Sequence, residues 1–170
     1  FEVTVVAPDG ERSWTGRGLT RHDPVTASPW GDQSRVYSSS GTPTDCVNIG
    51  ATRLMDAPPD VVISGINLGF NMSIPLVLTS GTVAGALEGA LLGHHAVATS
   101  LHIPFDQFDS VRLRKGKVEG ELADALVQAA KRTAEYAFGL LDTPKKGVTV
   151  HNLNFPSNMS ETTPLKHVKL

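Results

Sequence analysis

Residues 60–100 read DVVISGINLGFNMSIPLVLTSGTVAGALEGALLGHHAVATS, and this stretch decides the fold. Its beginning, Asp60–Ser64, is a short and largely β-branched run, which is typical of a buried parallel strand. Ser80-Gly81-Thr82 then opens a helix that extends to about Leu92, with apolar residues three and four positions apart. Ala96–Ser100 is a second strand. A strand, a helix and a further strand in this order predict a parallel α/β unit.

The chain upstream of residue 60 has the same character. Val3–Ala7 is a β-branched run closed by Pro8-Asp9-Gly10, and Arg35–Ser38 predicts another short strand. Residues 20–34 are predicted to be irregular. A helix begins after Thr42, which suits the N-cap, while Pro43 suits the first helical position and Asp45 the third.

Downstream of residue 100 the pattern continues to the end of the chain. The sequence predicts a loop over residues 102–118, a long amphipathic helix over Glu121–Phe138, a strand over Val148–Leu153 and the start of another over His167–Leu170. Strands that alternate with helices throughout predict a doubly wound, mostly parallel sheet.

Glycine recurs at every fourth position of the central helix, at residues 81, 85, 89 and 93. Each interior glycine disfavours a helix by about 1 kcal/mol relative to alanine. We therefore expect this side of the helix to pack closely against the sheet or another backbone.

Composition limits the class of protein. The 170 residues, 40% of them hydrophobic, suffice for one compact domain, and the net charge of −2 gives no sign of a nucleic-acid partner. No apolar stretch approaches the ~20 residues of a membrane-spanning helix, so no membrane partner is predicted. The single cysteine, Cys46, excludes an intrachain disulfide and a cysteine-rich zinc site, and it suits a cytoplasmic location.

The chain has three polar clusters next to predicted elements. Residues 8–13 and residues 64–71 each follow a strand, and Ser80-Gly81-Thr82 lies at a helix N-terminus. Ligands of open α/β sheets bind outside the carboxyl ends of the strands, and a helix N-terminus attracts anions. Singly, each cluster is also typical of an ordinary turn or N-cap. Together they predict an anion-binding α/β domain, without a Walker loop, a Gly-x-Gly-x-x-Gly fingerprint or a Gly-x-Ser-x-Gly elbow.

Five strings in order, VVAPDGERSWTG, GTPTDCV, VVISGINLGFN, SGTVAGALEG and LNFP, resemble the marker segments of the SurE (survival-protein) family. The resemblance implies a Rossmann-like three-layer sandwich with a mostly parallel sheet. It also implies hydrolysis of nucleoside 5′- or 3′-monophosphates, the activity of a nucleotidase or acid-phosphatase-type phosphomonoesterase. The implied cofactor is a divalent metal, Mg²⁺ or Mn²⁺, that polarises the phosphoryl oxygens and activates water.

The resemblance also assigns roles to individual residues. Ser13 and Asn67 match metal ligands of the family, which act there with an Asp-Asp pair after the first strand. Asn71 and Ser80 match residues at the phosphate site and are the candidate catalytic residues, with Gly81 and Thr82 beside them as further phosphate-binding residues.

The resemblance implies that residues 1–170 form a single domain that lacks two parts of the family fold. One is the first strand with its Asp-Asp pair, and the other is a C-terminal segment used in dimer or tetramer contacts. The chain also departs from the family pattern at Trp14, where glycine is usual, and at Thr79, where tyrosine is common. These departures concern the choice of substrate more than the class of reaction.

Two other interpretations fit parts of the sequence. A non-catalytic relative would keep the fold and bind an anion or nucleotide without a metal. An unrelated nucleotide-binding α/β enzyme, such as a glycosyltransferase, would need an Asp-x-Asp metal motif, and none occurs in the chain.

Overall fold

The computed structural model describes residues 1–168, which contain six strands and five α-helices. The strands are β1 (Val5–Pro8), β2 (Ala27–Pro29), β3 (Val36–Ser39), β4 (Val61–Leu68), β5 (His95–Leu101) and β6 (His151–Phe155). The helices are α1 (Pro43–Ile49), α2 (Ile74–Thr79), α3 (Gly81–Leu91), α4 (Phe105–Leu113) and α5 (Glu121–Leu141), and a π-helical segment, Gly50–Leu54, continues α1. None of these helices combines the length and the apolar character that crossing a membrane requires.

The strands form two three-stranded sheets. In the first, in the order β1-β3-β2, β1 is parallel and β2 antiparallel to β3. In the second, β4, β5 and β6 are all parallel, with β5 in the middle. Helix α1 packs on β1 and on α3, and α3 packs on β4 and β5. The predicted α/β fold with mostly parallel strands is confirmed, although its strands are divided between two sheets.

Strand β5 lies at the centre of three layers. Its residues Ala96 and Ala98 are fully buried with the apolar side of α3, whereas Val97 packs with Ala137 and Leu140 of α5. Because successive side chains of a strand point to opposite faces, α3 and α5 cover opposite faces of this sheet. A strand covered on both faces explains why the sequence of β5 is apolar at consecutive positions.

The N-terminus of α1 is fixed by reciprocal hydrogen bonds. The Oγ1 of Thr42 accepts a bond from the backbone N–H of Asp45 at 3.2 Å, and the carboxylate of Asp45 accepts one from the N–H of Thr42 at 2.9 Å. The predicted positions of Thr42, Pro43 and Asp45 in this helix start are confirmed. The same carboxylate also accepts bonds from the N–H and hydroxyl of Thr20, so it joins the loop after β1 to α1.

Two glycines of α3 face β4 at distances that exclude a side chain. A β-carbon on Gly89 would lie 2.6 Å from Cβ of Val62, and one on Gly85 would lie 2.8 Å from Oγ of Ser64. The predicted close packing of the helix on the sheet is therefore confirmed at these positions. Gly93 is different, because it lies beyond the helix with φ of +90° and no atom near its missing β-carbon. It ends the helix, as glycine commonly does at that position.

Several predicted boundaries and loops differ from the structure. Helix α4 lies inside the predicted loop 102–118, α2 lies in the segment before Ser80, and β2 lies inside the predicted irregular segment 20–34. Most side chains of α2 and α4 are half-buried or exposed. Because these helices bury no continuous side, their sequences do not need the apolar stripe on which helix prediction depends, and they lack it. The predicted strand over residues 167–170 is not observed at residues 167 and 168, and its last two residues lie outside the described part of the chain.

Burial raises the pKa of Asp45, but the hydrogen bonds from Thr20 and Thr42 outweigh burial and hold its pKa below the usual value. A carboxylate with a lowered pKa stabilises the fold above its unfolded pKa, and this contribution is lost as pH falls through the folded value. We expect Asp45→Asn to lower the free energy of unfolding at neutral pH by about 1–3 kcal/mol. The difference from wild type should shrink below about pH 4, as measured by urea unfolding across a pH series. A constant difference from pH 7 to pH 2 would contradict this account.

Replacing Gly89 with alanine tests the contact between α3 and β4. We expect Gly89→Ala to lower the free energy of unfolding by about 1–3 kcal/mol, because its β-carbon would overlap Val62. The matched control is Gly139→Ala in α5, where no atom lies within 4 Å of the missing β-carbon. That control should raise stability by about 0.5–1 kcal/mol through helix propensity. Equal effects of the two substitutions in a urea titration would show that α3 is not closely packed.

Candidate active site

A row of polar side chains crosses the second sheet near the carboxyl ends of its strands. Asn67 of β4 lies opposite Ser100 of β5, and Ser100 lies opposite Asn154 of β6. Each is the residue before the last of its strand. The Oγ of Ser100, which is fully buried, accepts a 3.4 Å hydrogen bond from Nδ2 of Asn67. The carboxyl edge of a parallel sheet is where ligands of such folds bind.

Asn71 is buried and joined to the same row. Its Nδ2 donates to Oγ of Ser100 at 3.0 Å, and its backbone N–H donates to Oδ1 of Asn154 at 2.7 Å. Its backbone carbonyl accepts a 2.8 Å bond from Nδ2 of Asn152. These bonds hold the loop after β4 over the strand ends.

The N-terminus of α3 is directed toward the same edge. Gly89 contacts Val62 and Gly85 contacts Ser64, so α3 runs antiparallel to β4 and begins near the carboxyl end of that strand. Ser80 is its N-cap, and the Oγ of Ser80 accepts from the N–H of Val83 at 3.2 Å.

The backbone N–H groups at the start of α3 are available to a ligand. The N–H of Ala84 bonds the carbonyl of Ser80. Within residues 1–168, the N–H groups of Gly81 and Thr82 have no hydrogen-bond partner. They are therefore donors that an anion can use.

The loop after β1 lies against the start of α3. The N–H of Gly16 donates to the carbonyl of Thr79 at 3.0 Å, and a β-carbon on Gly81 would lie 3.6 Å from the carbonyl oxygen of Arg12. Within this loop, Oγ of Ser13 donates to a carboxylate oxygen of Glu11 at 2.7 Å. Trp14, next to Ser13, lines one cavity together with Gly69 and Phe70 of the loop that carries Asn71.

The predicted site residues thus lie on three neighbouring segments. Ser13 lies in the loop after β1 of the first sheet, whereas Asn67 lies in β4 of the second, so these segments do not follow strands of a single sheet. Helix α3 contacts segments of both sheets, because its start lies against the loop after β1 and its later turns pack on β4.

An ion pair between an exposed arginine and a buried glutamate also holds the same loop to α3. Arg17 of the loop pairs with Glu88 of α3, which also accepts a 3.2 Å bond from Nδ2 of Asn48 in α1. Glu88 is almost fully buried, so it needs both partners to compensate its lost hydration. The thiol of Cys46 plays no comparable part, because burial raises its pKa and favours the uncharged form.

The described residues do not make a divalent-metal site by themselves. Mg²⁺ and Mn²⁺ prefer carboxylate and water oxygen, whereas Ser13 and Asn67 offer neutral oxygens. Glu11 adds one carboxylate beside Ser13, but nowhere in residues 1–168 do three His, Cys, Asp or Glu side chains gather around one point. A metal bound here would need further carboxylates.

Sequence reasoning missed Ser100, Asn152 and Asn154. A signal existed for two of them, because Asn152 and Asn154 are separated by one residue in a strand and therefore face the same way. Ser100 ends a run that resembles any buried strand, so nothing in the sequence distinguished it. Its importance arises from cross-strand register, which brings it opposite Asn67 and Asn154.

Comparison with known proteins gives one family over the whole chain. The family described as survival protein SurE matches residues 1–170. A relative from Methanococcus maripaludis (strain C6), named 5′-nucleotidase SurE, is 39% identical over 170 residues, which cover 99% of this chain and 61% of the relative. A protein of the same name from Natranaerobius thermophilus is 38% identical over 177 residues, which cover 100% of this chain and 61% of that protein.

A solved structure gives the same result for the fold. The crystal structure of the SurE protein from Aquifex aeolicus superposes with a TM-score of 0.71 at 30% sequence identity, covering 93% of this chain and 56% of that one. The chain spans about 61% of the length of the two 5′-nucleotidase SurE relatives.

Removing the hydroxyl of Ser100 tests the row of polar side chains across the second sheet. Ser100→Ala leaves the Nδ2 groups of Asn67 and Asn71 without their shared acceptor, so we expect the free energy of unfolding to fall by about 1–3 kcal/mol. Amide hydrogen exchange of residues 67–71 should accelerate at the same time. Ser110→Ala, on the exposed side of α4, is the control and should stay within about 0.5 kcal/mol of wild type. Unchanged exchange in Ser100→Ala would show that Ser100 does not hold this loop.

Proposed function

The chain belongs to the SurE family, and on that premise we propose that it forms the core of an enzyme that hydrolyses phosphate monoesters of nucleotides, with a nucleoside 5′- or 3′-monophosphate as substrate. The observation that carries the proposal is the start of α3, where the N–H groups of Gly81 and Thr82 have no partner among the described residues. Two such donors at the positive end of a helix dipole suit a phosphate group.

Each proposed phosphate-binding residue then has a defined task. Gly81 and Thr82 donate backbone N–H bonds to the phosphoryl oxygens, and Ser80 keeps that turn in place by capping Val83. Asn71 has one amide hydrogen beyond the one bonded to Ser100, and in this proposal that hydrogen donates to a phosphoryl oxygen at the edge of its loop. Fixed donors of this kind lower the barrier by stabilising the charge that develops on the transferring phosphoryl group.

We propose that the reaction depends on a divalent metal, Mg²⁺ or Mn²⁺, to which Ser13 and Asn67 contribute neutral oxygens. The charged ligands would come from an Asp-Asp pair on a strand that precedes Phe1 in a longer protein. The sheets support this idea, because β1 and β4 are each paired on only one side within residues 1–168. Helix α1 covers β1, the neighbouring α3 covers β4, and the two helices pack together. One further strand beneath these helices would join the two sheets.

Two further proposals concern the location and the assembly of the protein. A cytoplasmic location is a proposal that follows from the single cysteine, and a dimeric or tetrameric assembly of a longer protein is one that follows from the family resemblance. They do not affect the tasks assigned to the residues of this chain.

A phosphate-release assay tests the proposed function. The 170-residue chain alone should show little or no turnover of AMP, because it lacks carboxylates that would hold the metal. A chain extended upstream through an Asp-Asp pair should hydrolyse AMP when Mg²⁺ or Mn²⁺ is added and should stop when EDTA is added. In that longer chain, Asn67→Ala should lower the rate and raise the metal concentration needed, by roughly 10- to 100-fold. Ser80→Ala should cost less, on the order of tenfold or below, because the backbone donors remain.

Asn158→Ala serves as the control, since Asn158 is exposed and lies outside the site. It should leave rate and metal requirement unchanged. Strong metal-dependent turnover by the 170-residue chain would contradict the need for further carboxylates. An inactive longer chain with an intact Asp-Asp pair would overturn the proposed activity and favour a non-catalytic anion-binding protein.

A further inference from the structure

An aromatic pocket of about 320 Å³ opens beside the proposed phosphate site. Its aromatic lining consists of Trp14, Phe70, His102, Phe105 and Phe108. No Asp, Glu, Lys or Arg lines it. The volume falls within the range of small-molecule sites, which are concave, mostly apolar and provided with a few polar groups.

The pocket is continuous with segments that carry proposed site residues. Trp14 directly follows Ser13, and Phe70 directly precedes Asn71. A molecule whose phosphate lies at the start of α3 could therefore extend its other end toward this pocket. The pocket and the phosphate site together suit a ligand with one anionic end and one apolar end.

Trp14 occupies its position at a conformational cost. Its φ is +63°, in the left-handed region that disfavours residues with a β-carbon, and 74% of its surface is exposed. A large indole that is both strained and mostly exposed gains little from packing. Strained residues persist where the surrounding structure or the function requires them.

The other rings are also exposed to an incoming ligand. Phe105 is 96% exposed, and Phe70 pairs with His102 at a centroid distance of 5.5 Å in a tilted arrangement. Exposed ring faces of this kind stack with flat aromatic groups, and every nucleobase has such a face. Among the side chains that line the pocket, only the indole N–H of Trp14 and the imidazole of His102 are polar, so side-chain readout of one particular base is sparse.

We propose that this pocket takes the base of a nucleoside monophosphate, with Trp14 and Phe105 as stacking residues. The proposal rests on the proposed function, which supplies the phosphate at α3, and it extends that function to the recognition of the leaving nucleoside. Because stacking is sequence-tolerant, the pocket selects nucleotides over non-aromatic phosphate esters and discriminates weakly among bases.

The two tryptophans of the chain permit a binding test with an internal control. Adenosine is added to the ¹⁵N-labelled 170-residue chain while the indole N–H signals of Trp14 and Trp30 are followed by NMR. The signals are assigned beforehand with Trp14→Phe and Trp30→Phe. We expect adenosine and guanosine to shift the Trp14 signal and to leave Trp30 in place, and we expect ribose to shift neither.

Substitutions separate binding from folding. Phe105→Ala should weaken adenosine binding by roughly tenfold, whereas Phe138→Ala on α5 should not change it. Trp14→Gly should weaken binding similarly, followed through the backbone amide signal of Ile103 in the pocket wall. Its melting temperature should be no lower than that of wild type, because glycine relieves the left-handed strain. A purely structural Trp14 would instead give a lower melting temperature and unchanged binding.

The outcomes distinguish this inference from the proposed activity. A base pocket that binds adenosine in a protein without phosphatase activity would support the pocket and contradict the hydrolysis. Hydrolysis of AMP without any response of Trp14 to adenosine would overturn the base pocket alone. An equal response to ribose would also overturn it. A Trp14 signal that does not respond to adenosine in the longer chain would overturn the base pocket as well, since another segment or a second copy would then cover the pocket.

Discussion

The close approach of α3 to β4 and α1 determines the positions of the other elements. A β-carbon on Gly81, Gly85 or Gly89 would come within 3 Å of Pro43, Ser64 or Val62, so this side of the helix must be free of side chains. Glycine lowers the helix propensity at these positions, and close contact with the sheet compensates for this loss. Its antiparallel course along β4 leaves the first turn at the carboxyl edge of the strands. The position of its free backbone donors at this edge is thus a consequence of packing.

The site around this turn is built mainly from neutral polar groups. Asn67, Ser100 and Asn154 form a row across three strands, and Asn71 is bonded to both Ser100 and Asn154. Amides and hydroxyls satisfy one another at the sheet edge without the desolvation cost of buried charges. A neutral edge next to a positive helix end favours an anion. It also makes any divalent metal dependent on carboxylates from elsewhere.

The loop after β1 crosses the helical layer and is bonded to it at several points. It is attached by the bond from Gly16 to Thr79, by the ion pair of Arg17 with Glu88 and by the bonds of Thr20 to Asp45. These attachments begin two residues after Trp14, and β1 fixes the other end of the loop, so Ser13 and Trp14 are held next to the start of α3. One loop therefore bonds to Asp45, which caps α1, and also carries Trp14, which lines the aromatic pocket.

The fold class and the starts of both central helices could be predicted from the sequence. Alternation of apolar runs with helical periodicity, Thr42 before Pro43, and Ser80 before Gly81 are local signals, and the structure confirms the elements they predict. The marker strings also identified the family, which the comparisons confirm. The assignments of Ser13, Asn67, Asn71 and Ser80 remain predictions, although the structure brings their segments together.

The remaining features became visible only in the folded chain. Helices α2 and α4 carry little apolar periodicity, so their existence could not be inferred from pattern. The role of Ser100 depends on strand register, and the pocket around Trp14 and Phe105 depends on the meeting of distant loops. A sequence records local preference, whereas register and loop contacts arise between residues far apart in the chain. For that reason the sequence could determine which elements form, and only the folded chain could determine which side chains meet.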